Sequence, residues 1–479
     1  MKTVKSQRIR HIVFIGLLMV LTAGAMAVFG SGDTPAPGPS RPTLVAAHNG
    51  LVSVSAQLVQ NKILKDSDGI VNLALTFQAE TPAAAVGESG HGVDLVVVLD
   101  RSGSMQGQKI EHARQAVRNL LADLAPADRF GLVSYADQAQ VHTGLLPVTG
   151  GRRRQFDAVV QGIRPGGGTN LGAGLQKGID LLAGSEPDGN VRQIILISDG
   201  LANKGITDPT RLGKLASRAV VQEFAISTVG LGTEFNEQLM TAIADQGTGT
   251  YYYLENPTAF GEVFRAEFRG ARSLAAASLE VRLPLSDGLQ LTDAGGYPIR
   301  REGSAAVFYP GNLRSGQSRK IFLTLRVPSA ALRTFQLRDI AVRYRAEGRL
   351  VALHLIDTLD IACVPDPQEV MASIDKERWA HKVLKNDYNR LKDEVAGDIR
   401  AGKKQDALQR IEHYYRRQET VNRVMASPVV RENLEKDLGE LRGVVEETFR
   451  GSPAAVVQKK KTSAKALQYE GYQGQRSNH

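Results

Sequence analysis

Between residues 44 and 79 apolar side chains fall at every second position, in LVSVSAQLVQ and IVNLALTFQAE, with DSDG between them. A period of two marks strands with one buried face, and the Asp/Gly cluster supplies the turn. From 93 to 268 the pattern changes. Short runs rich in valine and isoleucine (VDLVVVL, RFGLVSYA, RQIILIS, EFAISTVGL) alternate with amphipathic stretches. In the first stretch Ile110, Ala113, Val117, Leu120, Leu121 and Leu124 keep helical spacing. Strands alternating with helices predict a mostly parallel sheet covered on both faces, an α/β unit.

Period-two alternation returns from 271 to 364, in ASLEVRLPL, SRKIFLTLRVP, IAVRYRAE and VALHLIDTLDIACV. This predicts a β-sandwich. The strands at 44–85 are expected to join it, with the α/β unit inserted between them. Residues 366–450 are helical in pattern. Val370, Ile374, Trp379, Val383, Tyr388, Leu391, Val395 and Ile399 form one stripe, and Leu434, Leu438, Leu441 and Val445 form another. Dense charge on the remaining positions fits a solvated helical hairpin or small bundle. Residues 451–479 are expected to be a disordered basic tail.

The ends carry further signals. MKTVKSQRIRH precedes the uncharged run IVFIGLLMVLTAGAMAVFG at 12–30. A basic segment followed by an apolar one is the layout of an export signal, and Ala25-Met26-Ala27 offers a small-x-small cleavage site. The run is also about long enough to span a bilayer. Residues 1–31 are therefore a signal peptide or an N-terminal membrane anchor, and 32–43 a Pro/Gly-rich linker. Either reading places the rest outside the cytoplasm, in the periplasm or another extracytoplasmic space, with inner-membrane attachment through 12–30 as the alternative to cleavage.

Composition narrows the chemistry. The net charge of +9 is modest for 479 residues, and part of it sits at Lys2, Lys5, Arg8, Arg10 and Lys459–Lys461. No basic patch interleaves with aromatics, so nucleic acid is not an expected partner. The single cysteine, Cys363, leaves no disulfide framework and no Cys/His zinc pattern. Arg152–Arg154 are expected to form a solvated loop run.

Three loops carry groups that complement one another. LVVVLDRSGSM ends a strand in Asp100 and then presents Ser102 and Ser104; PGGGTNLGAG holds Thr169; IILISDG ends a second strand in Asp199. Loops at the carboxyl ends of a parallel sheet meet at one edge, where ligands bind. Hydroxyls and carboxylates suit a hard cation, Mg²⁺ or Mn²⁺, with Ca²⁺ as a further alternative. A metal held largely by neutral hydroxyls stays electron-poor and can accept a partner's carboxylate. Taken singly, Asp100 or Asp199 is equally readable as a helix cap, and the serines as turn residues.

The set resembles the metal-ion-dependent adhesion site of the von Willebrand factor type A family. Asp100, Ser102 and Ser104 match its first loop, Thr169 its second and Asp199 its third. The resemblance covers about 93–268 and implies a Rossmann-like doubly wound sheet with six helices. It also implies that the hydroxyls touch the metal while the aspartates act mainly through waters. More loosely, the layout resembles exported bacterial proteins of the calcium-activated chloride channel homologue and inter-alpha-trypsin inhibitor heavy-chain types.

The expected function is non-enzymatic: metal-dependent binding of a protein partner that presents an acidic residue, in a bacterial cell envelope. The alternative is an envelope scaffold, with partner contacts on the β-sandwich and helices and a structural metal. A metal-dependent hydrolase ranks third, because no positioned base or nucleophile accompanies the carboxylates.

Overall fold

The computed structural model describes residues 44–81, 92–186, 189–255, 261–263, 265, 273–346 and 349–476. The segments expected as signal or anchor (1–31) and linker (32–43) lie outside the described residues. Among the described residues no helix is long and apolar enough to cross a membrane.

The described residues start with four strands, β1 (Leu44–His48), β2 (Val52–Leu58), β3 (Lys62–Leu64) and β4 (Ile70–Ala79). The α/β unit follows: β5 (Val93–Asp100), α1 (Gln108–Asp123), β6 (Arg129–Tyr135), β7 (Ala139–Pro147), α2 (Gly150–Gly162), α3 (Leu171–Ala183), β8 (Val191–Ser198), α4 (Pro209–Val221), β9 (Ala225–Leu231), α5 (Glu237–Gln246) and β10 (Thr248–Leu254). Its sheet has the order β10-β9-β8-β5-β6-β7, parallel except for β7 at one edge. β5 is buried along its whole length. Leu95, Val97 and Leu99 pack on one face with Ile110, Val117 and Leu121 of α1. Val96 and Val98 pack on the other with Leu171, Leu175 and Ile179 of α3. Two covered faces explain why this stretch is a continuous apolar run rather than an alternation. The glycines of α3 let it press close. A Cβ at Gly174 would meet Tyr135 Cδ1 at 2.5 Å, and one at Gly178 would meet Val98 Cγ2 at 2.5 Å.

Among the described residues, nine strands follow: β11 (Leu274–Pro284), β12 (Gln290–Ala294), β13 (Arg300–Glu302), β14 (Ala305–Arg314), β15 (Ser318–Arg326), β16 (Thr334–Leu337), β17 (Ile340–Ala346), β18 (Arg349–Leu355) and β19 (Leu359–Val364). They form sheets β1-β2-β4-β15-β12 and β13-β14-β11-β17-β18, with a small third sheet β16-β19-β3. β4 pairs with β15 from Ile70 opposite Arg326 to Gln78 opposite Ser318. The α/β unit is thus inserted between two neighbouring strands of one sheet.

The helices are α6 (Pro367–Ala372), α7 (Lys376–Lys382), α8 (Tyr388–Arg400), α9 (Lys404–Met425), α10 (Pro428–Glu432), α11 (Leu438–Thr448) and α12 (Pro453–Arg476). π turns at Val383–Asp387 and Asn433–Asp437 join α7 to α8 and α10 to α11. Trp379, Val395, Ile399, Ile411, Leu438 and Val445 form their core, which extends onto Val59, Ala74 and Phe322 of the sandwich.

Two sequence expectations are corrected. Residues 453–476 of the expected disordered tail are the helix α12. It starts after Ser452, whose Oγ accepts from Ala455 N at 3.3 Å, with proline in the first turn. Ala464, Leu467 and Tyr472 are buried on one face. The polar composition concealed this spacing. Arg152–Arg154 lie in α2 rather than in a loop, and Arg153 donates to the Ala122 and Leu124 carbonyls at 3.0 and 2.6 Å, capping the end of α1.

Candidate metal centre

Hydrophobic burial sets the first two groups. β5 and β8 are adjacent parallel strands with Leu99 opposite Ile197. Each leaves the sheet one or two residues later, so Asp100 and Asp199 emerge side by side, both fully buried. The loops that follow are tied together by their backbones. Gly103 N donates to Gly167 O at 3.0 Å, and Gly166 N to Arg101 O at 2.8 Å. Asn203 N donates to Thr169 O at 3.1 Å, while Asn203 Oδ1 accepts from Thr169 N at 2.8 Å. Buried Met105 anchors the short turn that presents the serines.

This framework brings the five expected residues into one cluster. Ser102 Oγ and Ser104 Oγ are 3.0 Å apart, and Ser104 Oγ donates to Asp199 Oδ1 at 2.8 Å. A Cβ at Gly200 would lie 3.1 Å from Ser104 Oγ and 3.6 Å from Thr169 Oγ1, so both hydroxyls face the same glycine. Asp100 is held from behind: its Oδ1 accepts from Ser102 N at 2.8 Å and its Oδ2 from Ser198 Oγ at 2.9 Å. Ser102 and Thr169 are buried, whereas Ser104 is exposed. The cluster therefore opens to solvent at Ser104.

Burial, reinforced by the nearby Asp199 carboxylate, pushes the Asp100 carboxyl up to about 6; hydrogen bonds from Ser102 and Ser198 oppose that rise. Two buried like charges call for a cation. One is supplied by the protein: Lys109 Nζ donates to Asp199 Oδ2 at 2.6 Å. The first residues of α1 add to the positive field, since Gly107 offers no capping side chain. Neither aspartate caps α1.

The remaining donors are hydroxyl and carboxylate oxygens. Among the described residues no group of three or more His, Cys, Asp or Glu could hold a metal. A cation here would therefore depend on Ser102, Ser104 and Thr169 as well as on the aspartates. That oxygen-only set fits Mg²⁺ or Mn²⁺ and does not suit a soft ion.

Sequence reasoning missed Lys109, Ser198 and Asn203. Ser198 directly precedes Asp199 and was open to detection. Lys109 reaches Asp199 only through the phase of α1, and Asn203 acts through a turn with no pattern of its own.

Residues 94–266 match the von Willebrand factor type A domain, and the chain carries that domain. YfbK of Escherichia coli strain K12 is 28% identical over 178 residues, covering 37% of this chain and 31% of YfbK. Human inter-alpha-trypsin inhibitor heavy chain H4 is 28% identical over 245 residues, covering 43% and 26%. The chain thus spans well under half the length of these two relatives. Among solved structures, a von Willebrand factor type A protein from Catenulispora acidiphila aligns with a TM-score of 0.65 at 17% identity, covering 89% of this chain and 98% of that one. At that identity the likeness is one of fold, and its coverage takes in the flanking units.

Proposed function

Because residues 94–266 are a von Willebrand factor type A domain, a protein-interaction fold that is often metal-dependent, we propose that the chain is a non-enzymatic binding protein of a bacterial cell envelope. It takes a carboxylate of a protein partner through a divalent cation, Mg²⁺ by preference, held by Asp100, Ser102, Ser104, Thr169 and Asp199. The bound cation would supply an electron-poor open position. The chain's own residues do the rest. Asp100 and Asp199 fix the loops and balance charge, the hydroxyls offer neutral oxygens, and exposed Ser104 marks the side from which a partner approaches. The basic and apolar pattern of residues 1–30 supports export.

The observation that carries this reading is the convergence of three loops on an oxygen-only cluster that opens to solvent at Ser104. The test is a pull-down from detergent-solubilised envelope with the 32–479 fragment in Mg²⁺ and in EDTA. A protein retained only with Mg²⁺, and lost with Asp100→Ala and Thr169→Ala, is the expected result. Equal retention in EDTA would sink the mechanism.

A second reading, a scaffold that binds through its helices with the metal in a structural role, is favoured by Val424, Val429 and Val444, which are exposed on the helical unit. Removal of those side chains would then end retention while the metal-site variants keep it.

A further inference from the structure

The segment SDGLANKGI, residues 198–206, leaves β8 at the metal cluster and crosses to the Thr169 loop. Its course is fixed there. Asn203 N and Lys204 N both donate to Thr169 O, at 3.1 and 3.4 Å, and Asn203 Oδ1 accepts from Thr169 N at 2.8 Å. Lys204 Nζ lies 2.9 Å from Asp137 Oδ1, which also accepts from Gly168 N at 3.1 Å. Gly205 has a φ of +65°, and a Cβ there would stand 2.3 Å from Asn170 Oδ1, so the segment is pressed against its neighbour.

Three apolar residues lie on this fixed segment. Ala202 and Ile206 turn inward and pack on the core beside α3. Leu201 does not, and is 58% exposed. The other exposed large apolar side chains among the described residues belong to β7, the sandwich and the helices, so Leu201 stands alone among the loops of the metal cluster. A single exposed leucine is ordinary on a protein surface; its position here is not. It follows Gly200, whose Cβ position is 3.1 Å from Ser104 Oγ. With consecutive Cα atoms 3.8 Å apart, the Leu201 Cα lies within about 9 Å of that hydroxyl. The exposed positions facing it on the other two loops include Gly103, Ser104 and Gly167, which offer no apolar contact. In an extended peptide, residues two apart are separated by about 7 Å. A partner whose carboxylate reaches the cluster therefore brings a residue one or two positions away onto Leu201.

We propose that Leu201 determines the specificity of the partner site: it takes an apolar side chain one or two residues from the bound carboxylate, so that the partner presents an exposed acidic–apolar segment. The inference rests on the metal-bridged reading given above and adds to it the class of partner. The carboxylate supplies charge complementarity to the cation, and the apolar contact discriminates among acidic segments, which the cation alone does not.

The test is selection of a randomised short-peptide display library on the full chain, immobilised in detergent, in Mg²⁺ and in EDTA. Peptides enriched only in Mg²⁺ should carry Asp or Glu with Leu, Ile, Val, Met or Phe one or two positions away. Selection on Leu201→Ser should keep the acidic residue and lose the apolar companion, and selection on Leu201→Lys should replace that companion with a second acidic residue. A wild-type-selected peptide, resynthesised, should bind Leu201→Ser about three- to tenfold more weakly. A Mg²⁺-dependent rise in melting temperature, read without peptide, shows that each variant is folded and loaded. Acidic enrichment without an apolar companion, or a companion that persists in Leu201→Ser, overturns the proposal and leaves the metal-bridged reading standing. Absence of acidic enrichment in Mg²⁺ over EDTA overturns that reading and the proposal with it.

Discussion

The two ends of the α/β sheet are built on opposite plans. At the carboxyl ends of β5 and β8, buried carboxylates and hydroxyls gather with one lysine and open to solvent at Ser104. At the amino ends of β8–β10, the described residues Arg314, Arg319, Arg476 and Asp245 line a space walled by β14, β15 and α12. One end pairs its buried carboxylates with a lysine and is accessible at Ser104. The other gathers arginines around Asp245 and is packed against the sandwich and α12. A mostly parallel sheet with both faces covered leaves its two ends for polar chemistry, and here the inserted topology gives them different surroundings. The carboxyl end is open to solvent, and the amino end, where the chain enters β5, is packed against the sandwich and α12.

The comparison breaks first if the enclosed end does not depend on α12. Deleting 453–476 removes buried Leu467 and Tyr472 and leaves Asp245 without Arg476. Burial of a large apolar side chain contributes ~1.5–3 kcal/mol, and stranding one partner of a buried ion pair costs ~3–5 kcal/mol. A loss of about 5 kcal/mol or more is expected, measured as an earlier first transition in urea. The Mg²⁺-dependent stabilisation of the α/β unit should survive. An unchanged transition would show that α12 does not hold this end.

The open end is tested by metal removal. In the intact chain, Mg²⁺ at a hundredfold excess over its dissociation constant should stabilise by about 2.7 kcal/mol, and EDTA should remove that gain. Asp199→Ala should abolish the Mg²⁺ response, and Thr169→Ala should weaken it. A full response in Asp199→Ala would mean that the cation binds elsewhere.

A smaller effect is expected at the sheet edge. Tyr472 Oη accepts from Tyr251 N at 3.1 Å on β10, which among the described residues is the edge strand of its sheet. Tyr472→Phe keeps the ring contact, at 5.5 Å between centroids, and strands one buried N–H. A loss of about 1–3 kcal/mol in the denaturation midpoint is expected. A neutral result would mean that water replaces the hydroxyl.

The two ends also differ in how far they could be read from sequence. The carboxyl end announces itself locally. Asp100 and Asp199 each follow an apolar run that had to be a buried strand, and the serines sit two and four residues beyond the first. The α/β class was legible for the same reason, since β5 and β8 are uninterrupted apolar runs between amphipathic stretches. The amino end leaves no such trace. Asp245, Arg319 and Arg476 come from α5, β15 and α12, and only tertiary packing brings them together. α12 itself was hidden because Lys, Gln, Ser and Gly suggested a solvated chain, while Ala464, Leu467 and Tyr472 kept a helical spacing that composition does not register. Lys465 added to the disguise: a charge in a polar tail, it is in fact buried, donating to Glu237 Oε2 at 2.6 Å and to Phe235 O at 2.7 Å.

Lys109 gives the finest test of the contrast, because it is the cation paired with Asp199 at the carboxylate-rich end. Its ammonium is one-third exposed and lies 2.6 Å from Asp199 Oδ2, while Ser104 holds Oδ1. In the metal-free protein it offsets part of the repulsion between Asp199 and Asp100. A divalent cation entering beside the serines meets that ammonium as a like charge, and screening by solvent keeps the repulsion small. Lys109→Met keeps the aliphatic stem and removes the charge. Mg²⁺ should then bind a few-fold tighter, equivalent to about 0.5–1 kcal/mol, read by calorimetric titration, while the metal-free protein loses a comparable amount of stability. Weaker Mg²⁺ binding in the variant would reverse the assignment, because it would show that Lys109 orients Asp199 for the metal instead of competing with it.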